Sequence, residues 1–381
     1  MSAWPSAPLG DLCTITIGRT PSRSRRDFWG VGLNWLSIAD MNQGREVVDT
    51  KESITELGAR ESGSRLIEPG TILLSFKLSI GKVSINRIPL YTNEAIAALS
   101  IKDENQVCSE WLYWALRTAD LHSGHDRAAM GATLNKAKLL SISIPLPPLS
   151  EQRRIAAILD HADALRAKRR KALTYLSELN RSIFQELDRR VDDVISVEDA
   201  VEKIIDYRGK SPVKTSFGVP LVTAKIIKDG RILPAEEFIA ERDYSEWMRR
   251  GLPIVGDVLF TSEAPLGSVA QIVNERVALA QRVILLRAKA GIFDNTFLMH
   301  ALRSVRVRDR IDRRSTGSTV RGIRQSELRK VLLPIPPLAE QLLFSDAAKR
   351  ISLLELQNRT ALSELDTLFA SLQSRAFRGE L

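Results

Sequence analysis

Through roughly the first 148 positions, short apolar runs bounded by Gly, Pro and Asp alternate with polar stretches, and from Leu149 the pattern changes to a seven-residue period. Pro69-Gly70-Thr71 leading into Ile72-Leu73-Leu74-Ser75 reads as a turn feeding a short buried strand. The stretch around Glu110 to Ala119 has the spacing of an amphipathic helix. Pro147-Pro148 cannot lie inside a helix but are tolerated just before one, so they mark a helix start, and Pro336-Pro337 mark a second. Short strands, Gly turns and one such helix, followed by a long helical stretch, predict an α+β globule with a helical tail.

The arrangement occurs twice. Gly70-Thr71-Ile72-Leu73-Leu74-Ser75 is matched by Gly256-Asp257-Val258-Leu259-Phe260-Thr261, 186 positions on. The same separation relates Gly81-Lys82-Val83 to Gly267-Ser268-Val269, Trp111–Arg117 to Phe297–Arg303, and Gly131-Ala132-Thr133 to Gly317-Ser318-Thr319. Pro147-Pro148-Leu149-Ser150-Glu151-Gln152 reappears as Pro336-Pro337-Leu338-Ala339-Glu340-Gln341 at 189, so three residues enter between the last two blocks. Gly18-Arg19-Thr20-Pro21 and Gly209-Lys210-Ser211-Pro212 are matching turns that carry a cation. Ordered matches at a nearly constant separation imply a duplicated domain with its connector. The expected divisions are 1–148, 149–190, 191–337 and 338–381.

In the first tail Ile155, Ala162, Arg169, Leu176 and Ile183 form one seven-spaced series, with Ile158, Leu165, Ala172 and Leu179 as the other. In the second tail Ala347, Leu354, Ala361 and Leu368 alternate with Ile351, Asn358, Leu365 and Leu372. These are seams for another helix, and a tail leaving one globule packs antiparallel on a tail starting at the other. Arg169 and Asn358 occupy equivalent places, so they are expected to meet and fix the register; snorkelling of Arg169 and simple tolerance of Asn358 is the alternative.

Fifty-five Lys and Arg against 46 Asp and Glu give a net charge of +9, which favours a polyanionic partner. Cys13 and Cys108 are too few for a disulfide framework or a zinc site, and His122 and His125 lack further ligands, so no metal is expected. Met1 to Asp11 has no signal-peptide pattern and no apolar run reaches membrane-spanning length, which predicts a cytoplasmic protein. Gly209-Lys210-Ser211 is no phosphate-binding loop, because that motif's first glycine would fall at Ile204 and Pro212 interrupts the helix that should follow. The Pro-Pro pairs lead into Leu149 and Leu338 rather than an aromatic residue, and the acidic pairs Asp192-Asp193 and Glu236-Glu237 read as solvated surface, so catalysis is not expected.

Two α/β domains, each followed by a Pro-Pro-Leu-x-Glu-Gln helix start and a long heptad helix, resemble the specificity subunit of type I restriction-modification systems along the whole chain. Gly256–Thr261, Gly317–Ile323 and the ending Ala376-Phe377-Arg378-Gly379-Glu380-Leu381 follow that family's phrasing. The first copy is expected to depart where Asn135-Lys136-Ala137 stands opposite Arg321-Gly322-Ile323.

The resemblance implies two pseudo-symmetric α/β target recognition domains joined by two long antiparallel coiled-coil helices. Each domain would read half of a bipartite, asymmetric DNA site. It also implies two modification subunits that methylate adenine from S-adenosylmethionine, and restriction subunits that cleave with ATP and Mg²⁺, with none of those cofactors in this chain. Phosphate contacts need accessible Lys or Arg, and base reading in the major groove favours Arg, Lys, Asn and Gln. Arg19, Arg23, Arg25, Arg26, Lys77, Arg127 and Lys136 are the candidates in the first domain; Arg208, Lys210, Lys214, Arg313, Arg314, Arg321 and Arg324 are those in the second. Each also fits an ordinary solvated charge. An interaction scaffold whose basic charge is incidental is the rival reading.

Overall fold

In the computed structural model the described residues are 4–119, 121, 134–207 and 211–381. They form two compact units: residues 1–169 with 361–381, and residues 170–360. Each unit therefore combines one α/β domain with part of both long helices, which run Leu149–Arg189 and Leu338–Arg378 directly after their proline pairs.

The first unit is built on a five-stranded sheet in the order Cys13–Ile17, Ile96–Ile101, Ile72–Ser75, Val83–Asn86, Glu46–Val47, antiparallel except at the last pair. A three-stranded sheet, Glu52–Ile54, Trp29–Leu36 and Tyr91–Thr92, lies beside it in the same unit. The helix Ser109–Thr118 buries Trp111, Tyr113 and Trp114 completely, in one core with Ile72, Leu74, Ile155, Leu159, Phe369 and Ala376. Such large aromatics each remove extensive apolar surface from water, so they anchor the domain to the helices.

The second unit repeats the plan. Its main sheet runs Val201–Asp206, Val283–Ala288, Val258–Thr261, Val269–Gln271, and a smaller one runs Phe238–Ile239, Val219–Val222, Ala278–Leu279. Here the helix Asn295–Arg303 presents Phe297 and His300 to Phe184 and Phe344 of the two long helices. A further helix, Val305–Arg314, was not anticipated; it places Arg313 and Arg314 in a last helical turn rather than in a loop.

The repeated glutamine explains the Glu-Gln motif. Gln152 is fully buried; its Oε1 accepts from Cys108 N (3.0 Å) and its Nε2 donates to Gln106 O (2.8 Å) and Pro147 O (2.9 Å). Gln341 does the same with Asp294 N (3.0 Å), Ile292 O (3.1 Å) and Pro336 O (2.9 Å). One amide thus satisfies three backbone groups where each long helix begins, and fixes that helix to the start of the domain's own helix.

The helix seam differs from expectation by one residue in one of its two series. Ile155, Ala162, Leu176 and Ile183 face inward, as do Ile351, Asn358, Leu365 and Leu372 to varying degrees. The partner series is Leu159, Arg166, Leu173, Asn180 and Leu187, and in the second helix Ala348, Glu355, Leu362, Phe369 and Ala376. The series beginning at Ile158 and Ala347 flanks the seam, and four of its leucines, Leu165, Leu179, Leu354 and Leu368, are 37–51% exposed. Positions three and four residues on from a seam residue flank it equally on a helix. Because Arg166, Asn180 and Glu355 are polar, the apolar pattern pointed to the wrong flank.

Arg166 is the polar residue locked into the first unit's seam. Its guanidinium donates to Asp366 (2.6 Å) and Asp163 (2.7 Å) and lies 4.2 Å from the Phe369 ring centre. Together with Arg154, which donates to Leu381 O (2.8 Å), it shows that the two helices run antiparallel in this unit. Arg169 is exposed, and Asn358 donates to Leu354 O (2.8 Å).

Candidate nucleic-acid interface

In both domains the strand that follows the repeated Gly turn ends in a backbone frame held by one hydroxyl. Ser75 Oγ donates to Ser79 O (2.5 Å) and accepts from Lys82 N (2.9 Å); Thr261 Oγ1 donates to Pro265 O (2.5 Å) and accepts from Ser268 N (2.8 Å). Both turns pass through a left-handed residue, Leu78 (φ 63°) and Ala264 (φ 50°). Gly267 has a left-handed φ of 72°, a backbone conformation that favours glycine. The next links are also shared: Phe76 N donates to Ala95 O (3.0 Å) and Ser262 N to Arg282 O (2.9 Å), while Leu134 N donates to Phe76 O (3.0 Å) and Ile323 N to Ser262 O (2.9 Å).

Those last contacts make Leu134 the counterpart of Ile323, and Asn135 the counterpart of Arg324 ahead of the short helices Lys136–Leu140 and Gln325–Leu328. The expected opposition of Asn135-Lys136-Ala137 to Arg321-Gly322-Ile323 is therefore corrected; the three extra residues enter before Leu134 and not after Ala137. Sequence spacing misplaced them because it sets Leu134 opposite Val320, an apolar residue that the structure leaves exposed.

In the second unit this frame borders an open cleft lined by Ser262, Glu263, Gln281, Arg282, Thr316, Gly317, Val320, Gly322, Ile323 and Arg324. Glu263 and Arg282 form a half-exposed ion pair at 2.9 Å, and backbone bridges from Gly322 to Glu263 and Thr316 fold the 316–322 loop over one edge. Arg321 and Arg324 are exposed here, without a carboxylate partner among the described residues. Glu263, Gln281 and Arg282 escaped the sequence reading, which looked for cations after strands; Gln281-Arg282 immediately precedes the strand Val283–Ala288.

The remaining candidates fall into distinct settings. Arg23 is bidentate to Glu52 (2.5 and 3.0 Å) and stacks 3.7 Å over Trp29, which itself meets Trp35 edge to face; the guanidinium holds the Glu52 carboxyl below the usual range. Arg25 pairs with Asp27, Lys214 with Glu237 and Arg314 with Glu327, so these cations already have carboxylate neighbours. Arg19 donates to Ser62 O (3.3 Å), and Lys77 is half-buried beside the Phe76 ring. Arg26, Lys136 and Arg313 are exposed and have no ion-pair partner among the described residues. Arg127, Arg208 and Lys210, like His122 and His125, lie outside the described residues.

The helix Val305–Arg314 is rich in arginine, yet most of that charge is structural. Arg306 reaches Asp188 and Val191 O, Arg308 donates twice to Leu266 O (3.1 Å), and Arg310 donates to Leu332 O (2.7 Å). A buried ion pair, Asp257 with Arg287 at 2.7 Å through both carboxylate oxygens, likewise supports the sheet. Burial raises the Cys13 thiol to about 12 and also raises Cys108, so neither is a ready nucleophile. No group of three or more His, Cys, Asp and Glu side chains poised to hold a metal occurs among the described residues, and no helix among them is long and apolar enough to cross a membrane.

The family model described as type I restriction modification DNA specificity domain matches residues 1–175 and 223–362. The MjaIX specificity subunit of Methanocaldococcus jannaschii is 25% identical over 279 residues, covering 63% of this chain and 62% of that protein. The EcoKI specificity subunit of Escherichia coli is 21% identical over 424 residues, covering 99% and 89%. The crystal structure of a type I restriction-modification S subunit from M. genitalium aligns over 99% of this chain and 96% of its own with a TM-score of 0.63 at 14% identity, a likeness of fold. The match takes in parts of both copies of the repeated domain, and the chain belongs to the type I restriction-modification DNA specificity family.

Proposed function

We propose that this chain binds a bipartite, asymmetric duplex site and directs adenine methylation and cleavage by partner subunits, while carrying no catalytic centre of its own. The observation behind this reading is the same hydrogen-bonded frame built twice in one chain, each time at the edge of a domain attached to a long helix. Two copies of one reader suit two half-sites, and a net charge of +9 suits a polyanion. Leu165 and Leu368 in the first unit, and Leu179 and Leu354 in the second, leave apolar helix surface exposed, which suits protein partners such as two modification subunits and restriction subunits. S-adenosylmethionine, ATP and Mg²⁺ belong to those subunits in this proposal, and the assembly works in the cytoplasm.

Methylation mapping of DNA from cells that express the chain together with type I modification subunits tests this. The expected result is a new adenine-methylated motif with two unlike defined parts around a fixed gap. Methylation that is absent, contiguous or unchanged when the chain is omitted would overturn it.

A further inference from the structure

Resting on that DNA-reading function, we infer that base choice in each half-site is set by four equivalent positions at the strand-end frame: 77 and 263, 94 and 281, 95 and 282, and 135 and 324. The equivalences come from shared backbone contacts. Ser75 pairs with Ile96 where Thr261 pairs with Val283, and Phe76 N bonds Ala95 O where Ser262 N bonds Arg282 O.

The frame is the same in both domains, but what stands on it is not. Lys77 in the first domain becomes Glu263 in the second, and Glu94 becomes Gln281. Ala95 is buried, whereas Arg282 at the same place extends into the cleft. Asn135 spends its side chain capping a helix through Lys138 N (2.8 Å), while Arg324 makes no such cap and stays exposed in the cleft wall. Positive charge thus stands on position 77 alone in the first domain, and on positions 282 and 324 in the second.

The chemistry suits different base edges. A guanidinium donates to guanine O6 and N7, a glutamine pairs with adenine N6 and N7, and a carboxylate accepts from cytosine N4. Glu263 lies 2.9 Å from the Arg282 guanidinium, so a carboxylate acceptor and a guanidinium donor stand side by side in the cleft. In the first domain Thr20 donates to the Glu94 carboxylate, which ties that acceptor to the Gly18–Pro21 turn. A shared scaffold with unlike lining is what reading two different half-sites requires.

Selection of bound duplexes from a randomised bipartite library, using the full-length chain with co-expressed modification subunits, tests the assignment. Arg282→Ala installs the residue the first domain already tolerates, and it breaks only a half-exposed ion pair. It is expected to lower preference at one or two adjacent base pairs of one half by roughly 5- to 150-fold and leave the other half unchanged. Glu94→Gln should alter the opposite half alone. Uniform weakening across all sequences, with a shallower salt dependence, would make Arg282 a phosphate contact and overturn the inference, as would unaltered selection by both variants. If the parent protein selects no motif, the DNA-reading function itself falls, and this assignment with it.

Discussion

At position 300 the two copies of the domain resolve one packing problem in different ways. In the first, Trp114 Nε1 donates to Asp160 Oδ1 (2.7 Å), and Arg45 pairs with the same carboxylate. In the second, the equivalent residue is His300, packed against Phe184 and Phe344 with its Nε2 buried and without a hydrogen-bond partner among the described residues. Burial, reinforced by Arg303, lowers its pKa to about 3. A folded-state pKa below the ordinary 6.5 means that the unfolded chain takes up the proton first, so stability is full above about pH 6.5 and is lost as pH falls toward 3. His300→Phe, in a pocket whose counterpart holds a larger indole, should therefore raise stability relative to the parent by roughly 3 kcal/mol near pH 4, with a much smaller difference at pH 8. Urea denaturation at both pH values measures this; an equal difference at both would show that His300 titrates normally.

At the scale of single elements, the long helices carry the sharpest lesson. Periodicity located both helices and their starts, and one series of each seam, because heptad spacing and proline placement are local properties of the chain. The second series was missed because Arg166 sits at a core-facing position. Its charge is satisfied by Asp366, 200 residues away in sequence, and by the face of Phe369, a combination that no local pattern announces. Leu159 is fully buried and Leu165 is exposed, so truncating the two separates the alternatives. Leu159→Ala should cost about 2–5 kcal/mol and Leu165→Ala less than about 0.5 kcal/mol, read from shifts in thermal or denaturant midpoints. Similar losses for both would restore the seam beginning at Ile158. The arginine-rich helix Val305–Arg314 offers a parallel case: composition alone suggests a DNA-facing surface, yet backbone carbonyls and Asp188 occupy Arg306, Arg308 and Arg310.

For the whole molecule, the proposed role makes the paired helices a spacer, and rise per residue then converts into base pairs. Inserting one heptad at equivalent places in both helices, seam preserved, adds about 10.5 Å of helix, close to three base pairs at 3.4 Å each. Methylation mapping of such a variant should show both half-sites intact and the gap lengthened by about three base pairs. An unchanged gap with retained methylation would remove the helices from that role. The duplication, the α+β character, the two helix starts and the basic balance are legible in the amino-acid order alone, because repeats, turn residues and apolar spacing are written over a few neighbouring positions. Which face of each helix is buried, which arginines are already committed to carboxylates or carbonyls, and the meeting of Glu263, Gln281, Arg282 and Arg324 in one cleft emerge from the folded chain. Those outcomes depend on contacts between residues far apart in the chain, where burial and charge pairing are settled by the partner and not by the neighbours in sequence.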